Sequence, residues 1–283
     1  MKKSISYWSF PGGLDGSKPV AEAFVEAKKA GFEAMEVCLS VTGDVSLESS
    51  DADLARVKRA AADVGIGIAG VACGLYWNWS LTSDDAATRA KAMEISRKLL
   101  AAANALGTDA VLIVPGAVDV PWDPSIPVVE YSDAHKRAAD AIGALEPDAK
   151  TAGVTICVEN VWNKLLLGPM EMAEFVDQFK SPWVAAYFDV GNCVFIGYPE
   201  QWIRVLGRRI KRVHFKDFRR SVGTAGGFVD LLAGDVEWPE VIRALKEVGY
   251  DGPVTAEMIP GYKYHPEVLI ENTSRAMDAI LGG

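Results

Sequence analysis

Eight times along the 283 residues a short β-rich run gives way to a longer stretch with helical spacing. The runs fall at roughly 3–8, 32–39, 66–72, 109–114, 154–159, 183–189, 210–216 and 253–258. The stretches between them are rich in Ala, Glu and Lys. In the seventh, Trp238, Val241, Leu245 and Val248 share one helical face, and in the last Leu269, Thr273, Ala276 and Ile280 do so. Gly31, Gly65, Gly107, Gly153 and Gly249 each close a helical stretch just before a strand, where a left-handed cap is needed. Strand–helix alternation of this kind gives a parallel sheet covered by helices, and eight units close it into an α/β (β/α)8 barrel. An open doubly wound sheet is the alternative. No GxGxxG or GxxxxGK[ST] motif follows a strand, and polar residues gather at strand C-termini in both halves of the chain, which favours the barrel. No Pro/Gly/Ser-rich linker divides the chain, so residues 1–283 are expected to form one domain. The longest irregular stretch, Pro115 to Pro127, carries four prolines and Trp122, and long βα loops usually serve a site.

Composition narrows the partners. The chain is 49% hydrophobic and 24% charged, an ordinary balance for a soluble globular protein. Its 29 basic against 38 acidic residues leave a net charge of −9, which argues against nucleic-acid and anionic-membrane partners. No apolar run reaches the ~18 residues a membrane span needs. Lys2 and Lys3 are followed by no long apolar stretch, so no secretory signal is read. Cys38, Cys73, Cys157 and Cys193 show no CxxC spacing and read as reduced thiols on apolar strands. A cytoplasmic location is the expectation.

Four strand ends carry ionisable groups after runs that should be buried. The fifth run ends at Glu159-Asn160, the sixth at Asp189, the seventh runs into His214-Phe215-Lys216-Asp217, and the eighth ends at Glu257. A buried carboxylate is costly unless paired, hydrogen-bonded or bound to a cation. In a barrel, successive strand ends lie on one ring about 5 Å apart. Glu159, Asp189, His214 and Glu257 would therefore converge. Three carboxylates and one imidazole suit a harder divalent ion, with Mn²⁺ expected and Mg²⁺, Co²⁺ or Zn²⁺ as alternatives. Singly, each has a plainer reading: a strand-end acid is often a helix N-cap, and a lone histidine is often a hydrogen-bonded structural one. Four on consecutive strands are harder to explain that way.

At these residues the chain resembles the sugar phosphate isomerase/epimerase superfamily of xylose-isomerase-like TIM barrels. The segments that carry the resemblance are Val158-Glu159-Asn160-Val161-Trp162-Asn163, Phe188-Asp189-Val190-Gly191-Asn192, Val213-His214-Phe215-Lys216-Asp217 and Thr255-Ala256-Glu257-Met258. Gly234-Asp235-Val236-Glu237-Trp238-Pro239 and Gly249-Tyr250-Asp251-Gly252-Pro253 add to it, and the likeness spans nearly the whole chain. It implies that Glu159, Asp189, His214 and Glu257 hold one divalent metal. It further implies that Glu159 and Glu257 exchange protons on opposite faces of a ketose or ketose phosphate. Removing a proton beside a carbonyl gives an enediolate, and returning one to the other face inverts the centre. 3-Epimerisation is expected over aldose–ketose isomerisation. Related barrels are often dimers or tetramers, so a homo-oligomer is expected by analogy.

One position departs from the sugar epimerases of this type. Where many have His three residues after the strand-six Asp, this chain has Asn192, closer to the L-xylulose 5-phosphate 3-epimerase and hexulose-6-phosphate isomerase branch. Asparagine donates a hydrogen bond but transfers no proton. By spacing, Arg220 rather than Arg219 matches the substrate-contacting arginine, while a solvated basic pair with Lys216 is the plainer reading. Lys164 with this cluster would suit a phosphate. Gly223 to Gly227 is the nearest stretch to a glycine-rich phosphate nest. Trp8, Tyr76, Trp77, Trp79, Trp122 and Trp162 are candidates for a sugar-stacking wall, with Glu36 and Asn78 reading hydroxyls. His265 reads as a residue at the start of the last helix.

Three other functions compete. A lyase on the same scaffold, of inosose-dehydratase or 3-keto-sugar type, shares the first proton abstraction. A metal-dependent endonuclease shares the barrel, but three histidines in all and a charge of −9 count against it. A non-catalytic sugar-binding barrel would keep the pocket and dispense with the proton shuttles.

Overall fold

The computed structural model describes residues 1–282. Eight parallel strands are present: β1 (Lys2–Ser6), β2 (Ala34–Leu39), β3 (Gly67–Cys73), β4 (Ala110–Ile113), β5 (Thr155–Glu159), β6 (Val184–Asp189), β7 (Ile210–Phe215) and β8 (Pro253–Ala256). They close into a barrel in sequence order, β8 pairing with β1 through Lys2↔Pro253 to Ile5↔Ala256. The strands are nearly continuous apolar runs, as expected where both faces are covered. Two pairings slip register, between Met35 and Glu36 on β2 and between Ala186 and Tyr187 on β6.

Eight helices form the outer layer: α1 (Val20–Lys29), α2 (Asp51–Val64), α3 (Ala86–Leu106), α4 (Tyr131–Ala152), α5 (Pro169–Asp177), α6 (Pro199–Leu206), α7 (Trp238–Glu247) and α8 (Val268–Gly282). Their ends follow local chemistry. Ser50 and Asp53 form a capping box at α2, and Asp85 caps α3 through the Thr88 amide at 2.7 Å. Gly107 and Gly153 close α3 and α4 in the left-handed conformation. The expected apolar stripes face the barrel: Trp238, Val241 and Leu245 on α7 and Leu269, Thr273 and Ile280 on α8 are buried. Among the described residues no helix is long and apolar enough to cross a membrane.

The strand ends differ from expectation by a few residues. β1 stops at Ser6 because its hydroxyl caps a 3-10 turn over Tyr7–Ser9. One element was not expected: a small antiparallel hairpin pairs Asp217–Phe218 with Phe228–Val229 between β7 and α7. Asp217 organises this loop, accepting hydrogen bonds from the Leu232 and Val236 amides and the Trp238 indole at 3.0 to 3.2 Å. The Gly223–Gly227 stretch turns this hairpin, and the Gly227 amide is spent on Thr224 O at 2.8 Å.

The proline-rich stretch lies between β4 and α4 and is fixed on both sides. Ala117 exchanges two hydrogen bonds with the Thr82 hydroxyl, at 2.6 and 2.8 Å. The Asn163 side chain donates to Gly116 O at 2.7 Å, and Lys164 pairs with Asp119 at 2.6 Å.

Candidate metal and proton-transfer centre

Glu159 ends β5, Asp189 ends β6, His214 is the penultimate residue of β7 and Glu257 follows β8. All four are buried, and one donor atom from each lies within 4.8 Å of the others. His214 Nδ1 lies 3.1 Å from Glu257 Oε2, 3.5 Å from Glu159 Oε1 and 3.8 Å from Asp189 Oδ2. Asp189 Oδ2, His214 Nδ1 and Glu257 Oε2 have no hydrogen-bond partner among the described residues. Buried polar atoms are nearly always satisfied, so three orphans aimed at one point fit a bound cation. Both protein N and O donors are supplied, which divalent ions from Mn²⁺ to Zn²⁺ accept.

Lys216 brings an ammonium to the cluster. Its ammonium is 2.8 Å from Glu257 Oε2, outside hydrogen-bonding alignment, and 3.4 Å from Asp189 Oδ2. This sorts the two glutamates. Burial pushes the Glu159 carboxyl up to about 7, with only partial relief from His214. Burial acts on Glu257 as well, but Lys216 and His214 outweigh it and bring it down to about 2. Asp189 is raised by burial. Burial disfavours a charged His214, yet Glu36, Glu257 and Glu159 outweigh that and hold it well above the ordinary histidine range. A divalent cation would compete with these protons for the same lone pairs.

The Asp189 carboxylate is held from behind. Its Oδ1 accepts from the Asn192 amide at 2.7 Å, leaving Oδ2 toward the cluster. Asn160 clamps the same turn, its side chain bonding both Asp189 backbone groups at 2.8 and 2.9 Å. The Asn192 side-chain nitrogen in turn donates to Asn160 O at 3.0 Å, and the Trp162 indole to Asn192 O at 2.8 Å. Asn160 is a site residue that pattern alone does not single out. Its polar side chain directly after a buried strand was the available signal.

Above the cluster opens a cavity of about 360 Å³, with Glu159, Glu257 and Lys216 at its floor. Trp8, Trp77, Trp122, Trp162 and Phe228 wall it, and Asn192 and Cys73 border it. Trp122 meets Trp77 edge-on, ring centroids 4.5 Å apart.

Four of the six expected substrate contacts therefore line this cavity: Lys216, Trp162, Trp77 and Asn192. Two do not. Glu36 is fully buried in the barrel interior, behind His214 rather than at the mouth. Arg220 is turned away, its Nε donating to Val194 O at 2.9 Å and its guanidinium lying 4.9 Å over the Tyr198 ring. Tyr76 is core, hydrogen-bonded to Ser96 at 2.9 Å, and Trp79 does not line the cavity. His265 is exposed near the start of α8. The four cysteines are buried and unpaired.

The comparisons agree with this architecture. A chain from Escherichia coli O1:K1 / APEC named L-ribulose-5-phosphate 3-epimerase UlaE is 26% identical over 250 residues, covering 85% of this chain and 84% of that one. A D-psicose 3-epimerase crystallised in the presence of D-fructose superposes with a TM-score of 0.79 at 22% identity, covering all of both chains. The IOLI protein with a bound zinc atom superposes with a TM-score of 0.77 at 18% identity, covering 100% of this chain and 98% of that one. Residues 24–280 match the family described as xylose isomerase-like TIM barrel. With that match covering most of its length, the chain belongs to the xylose isomerase-like TIM barrel family.

Proposed function

We propose that the protein is a divalent-metal-dependent 3-epimerase of a ketose or ketose phosphate, working in the cytoplasm. One observation carries the reading. Glu159 and Glu257, whose proton affinities are driven apart, face one indole-walled cavity beside three unpartnered ligand atoms. Named relatives that act as 3-epimerases support it. The buried, unpaired cysteines fit a reducing compartment.

Glu159, Asp189, His214 and Glu257 would hold the cation, Mn²⁺ by preference with Mg²⁺, Co²⁺ or Zn²⁺ as alternatives. Such a cation supplies electrostatic stabilisation for the negative charge of an enediolate. Glu257, kept ionised by Lys216, is the group ready to accept the proton beside the carbonyl. Glu159, the second carboxyl at the cavity floor, is the group proposed to exchange a proton at the opposite face. The indoles offer flat faces to the C–H surface of a sugar, and their closeness keeps bulk water from the floor.

The test is incubation of the Mn²⁺-supplemented protein in D₂O with ketoses, ketose phosphates, inososes and 3-keto glycosides. Deuterium at C3 of an inverted product is the expected result. Exchange at C1 or C2, or loss of water or a leaving group, would replace the reading with an isomerase or lyase. No exchange with any of them would overturn it.

A further inference from the structure

We propose that Glu36 is a positioning residue for the metal centre, setting the orientation and tautomer of His214 from inside the barrel. The proposal rests on the metal reading above. Glu36 is fully buried on β2, across the barrel interior from β7. Its Oε1 lies 3.0 Å from His214 Nε2, and the Tyr187 hydroxyl donates to its Oε2. Both oxygens are thus occupied on the side away from the cavity. With Tyr187 donating to the carboxylate, the consistent assignment has Nε2–H donating to Oε1. That leaves the Nδ1 lone pair as the atom presented to Glu159, Asp189 and Glu257. It is the same Nδ1 that has no partner of its own. A carboxylate behind a ligating imidazole fixes its ring and raises its basicity.

The barrel gives up a good deal to make this arrangement. A buried carboxylate is expensive, and an apolar pair of similar volume would usually be at least as stable. Gly70, opposite Glu36 in the β2–β3 pairing, brings no side chain into this space, and a Cβ there would sit 3.7 Å from Glu36 Oε2. Both register slips fall opposite the residues involved: Ala69 is the extra residue of β3 between the partners of Met35 and Glu36, and Lys211 that of β7, the strand of His214, between the partners of Ala186 and Tyr187. Bulges of this kind re-aim side chains next to sites. The Tyr187 ring lies 4.4 Å from the His214 ring, centroid to centroid, closing the second side of the imidazole. Two irregular strands, a missing side chain and a buried acid converge on one imidazole, which ordinary core packing does not require.

The test measures Mn²⁺ dissociation constants and the visible absorption of the Co²⁺-loaded protein for the parent, Glu36→Gln, Glu36→Ala and Tyr187→Phe. Glu36→Ala is expected to weaken Mn²⁺ binding by about 10–100-fold and to change the Co²⁺ spectrum. Glu36→Gln keeps one acceptor oxygen and is expected to lose less, a partial rescue. Tyr187→Phe, which leaves the carboxylate in place, should lose about 2–10-fold. If Glu36→Ala does not fold, the other two variants decide by the same readouts. Folded variants with the parent's affinity and spectrum would overturn the proposal while leaving the metal reading intact. A parent that binds neither ion would instead remove the metal reading, and this proposal with it.

Discussion

Lys216 lies 2.8 Å from one oxygen of Glu257 and 3.4 Å from one of Asp189, so a single ammonium serves two of the four converging side chains. Its own proton is held more tightly than usual, because Asp189, Glu257 and Glu159 outweigh the cost of its burial. Lys216→Met removes the charge that keeps Glu257 ionised. The Glu257 carboxyl should then rise from its lowered position, so that less of the base form is present at a given pH. The expected outcome is a kcat/KM little changed near neutral pH, where the carboxyl stays ionised, and about tenfold lower on the acid side of the profile for each unit by which that carboxyl rises. The acid limb of the pH–rate profile should move to higher pH. A profile that keeps its shape and position would show that Lys216 does not tune the base.

Asp189 tests the metal from the side of stability. Asp189→Asn keeps an oxygen to accept from the Asn192 amide but removes the buried charge. Mn²⁺ binding should weaken by more than the roughly 10–100-fold that an outer partner costs. Without metal, the variant should melt at or above the parent temperature, because burial costs the Asp189 carboxylate more than Lys216 and His214 return. The parent should gain about 2.7 kcal/mol at metal concentrations one hundred times Kd, roughly 5–10 °C in a chain of this size, and lose it on chelation. Differential scanning calorimetry with and without EDTA reads both.

Trp122 is half exposed and reaches the cavity from the β4–α4 loop. Because that loop is tied down at Ala117 and Gly116, removing the indole should leave the loop in place. Trp122→Ala is therefore expected to raise KM by about 2–10-fold, the scale of one aromatic contact, with kcat changed less. A fall in kcat with unchanged KM would mean that the indole acts on the reaction rather than on binding.

The closed bottom of the barrel supplies a pH prediction. Arg212 is buried there, its Nε donating to Ala69 O at 2.8 Å and its guanidinium pairing with Asp109, which also meets Lys211 at 2.7 Å. Partial burial would raise the Asp109 carboxyl, but Lys211 and Arg212 outweigh it and hold it below the ordinary range. A lowered carboxylate contributes stability that is fully present above its unfolded pKa of about 3.9 and is lost as pH falls through the folded value. Melting curves from pH 6 to pH 2.5 should therefore converge for the parent and Asp109→Asn at the acid end. Near neutrality the variant should melt lower, because it leaves Arg212 buried without its carboxylate. A constant gap across that range would contradict the assignment.

The parts of this fold that can be read from sequence share a cause. β5 to β8 are apolar runs that each end on a group with no reason to be buried, so Glu159, Asp189, His214 and Glu257 stand out against their own neighbours. Glu36 lies behind His214 rather than at the mouth because His214 and Tyr187, residues more than 150 positions away, take its two carboxylate oxygens. Arg220 was misplaced because its direction is set by Val194 and Tyr198, residues more than twenty positions away. The hairpin of Asp217–Phe218 and Phe228–Val229 has two residues in each strand, too few for any periodicity to show. Hydrophobic pattern records where a strand runs and where it stops. It does not record which way a polar side chain turns once contacts across the barrel compete for it.

The indoles at the cavity wall come mostly from the first half of the chain, Trp8 after β1, Trp77 after β3 and Trp122 after β4, while every group in the four-residue cluster comes from β5 to β8. The second half also lines the cavity through Trp162, Asn192, Lys216 and Phe228. Under the proposed function, changes in the early loops would reshape the indole wall while leaving Glu159, Asp189, His214 and Glu257 in place. The exception is β2, because Glu36 reaches from the first half of the chain to His214 in the second. A chimaera that joins the second half of this barrel to the first half of another would have to carry that strand with it.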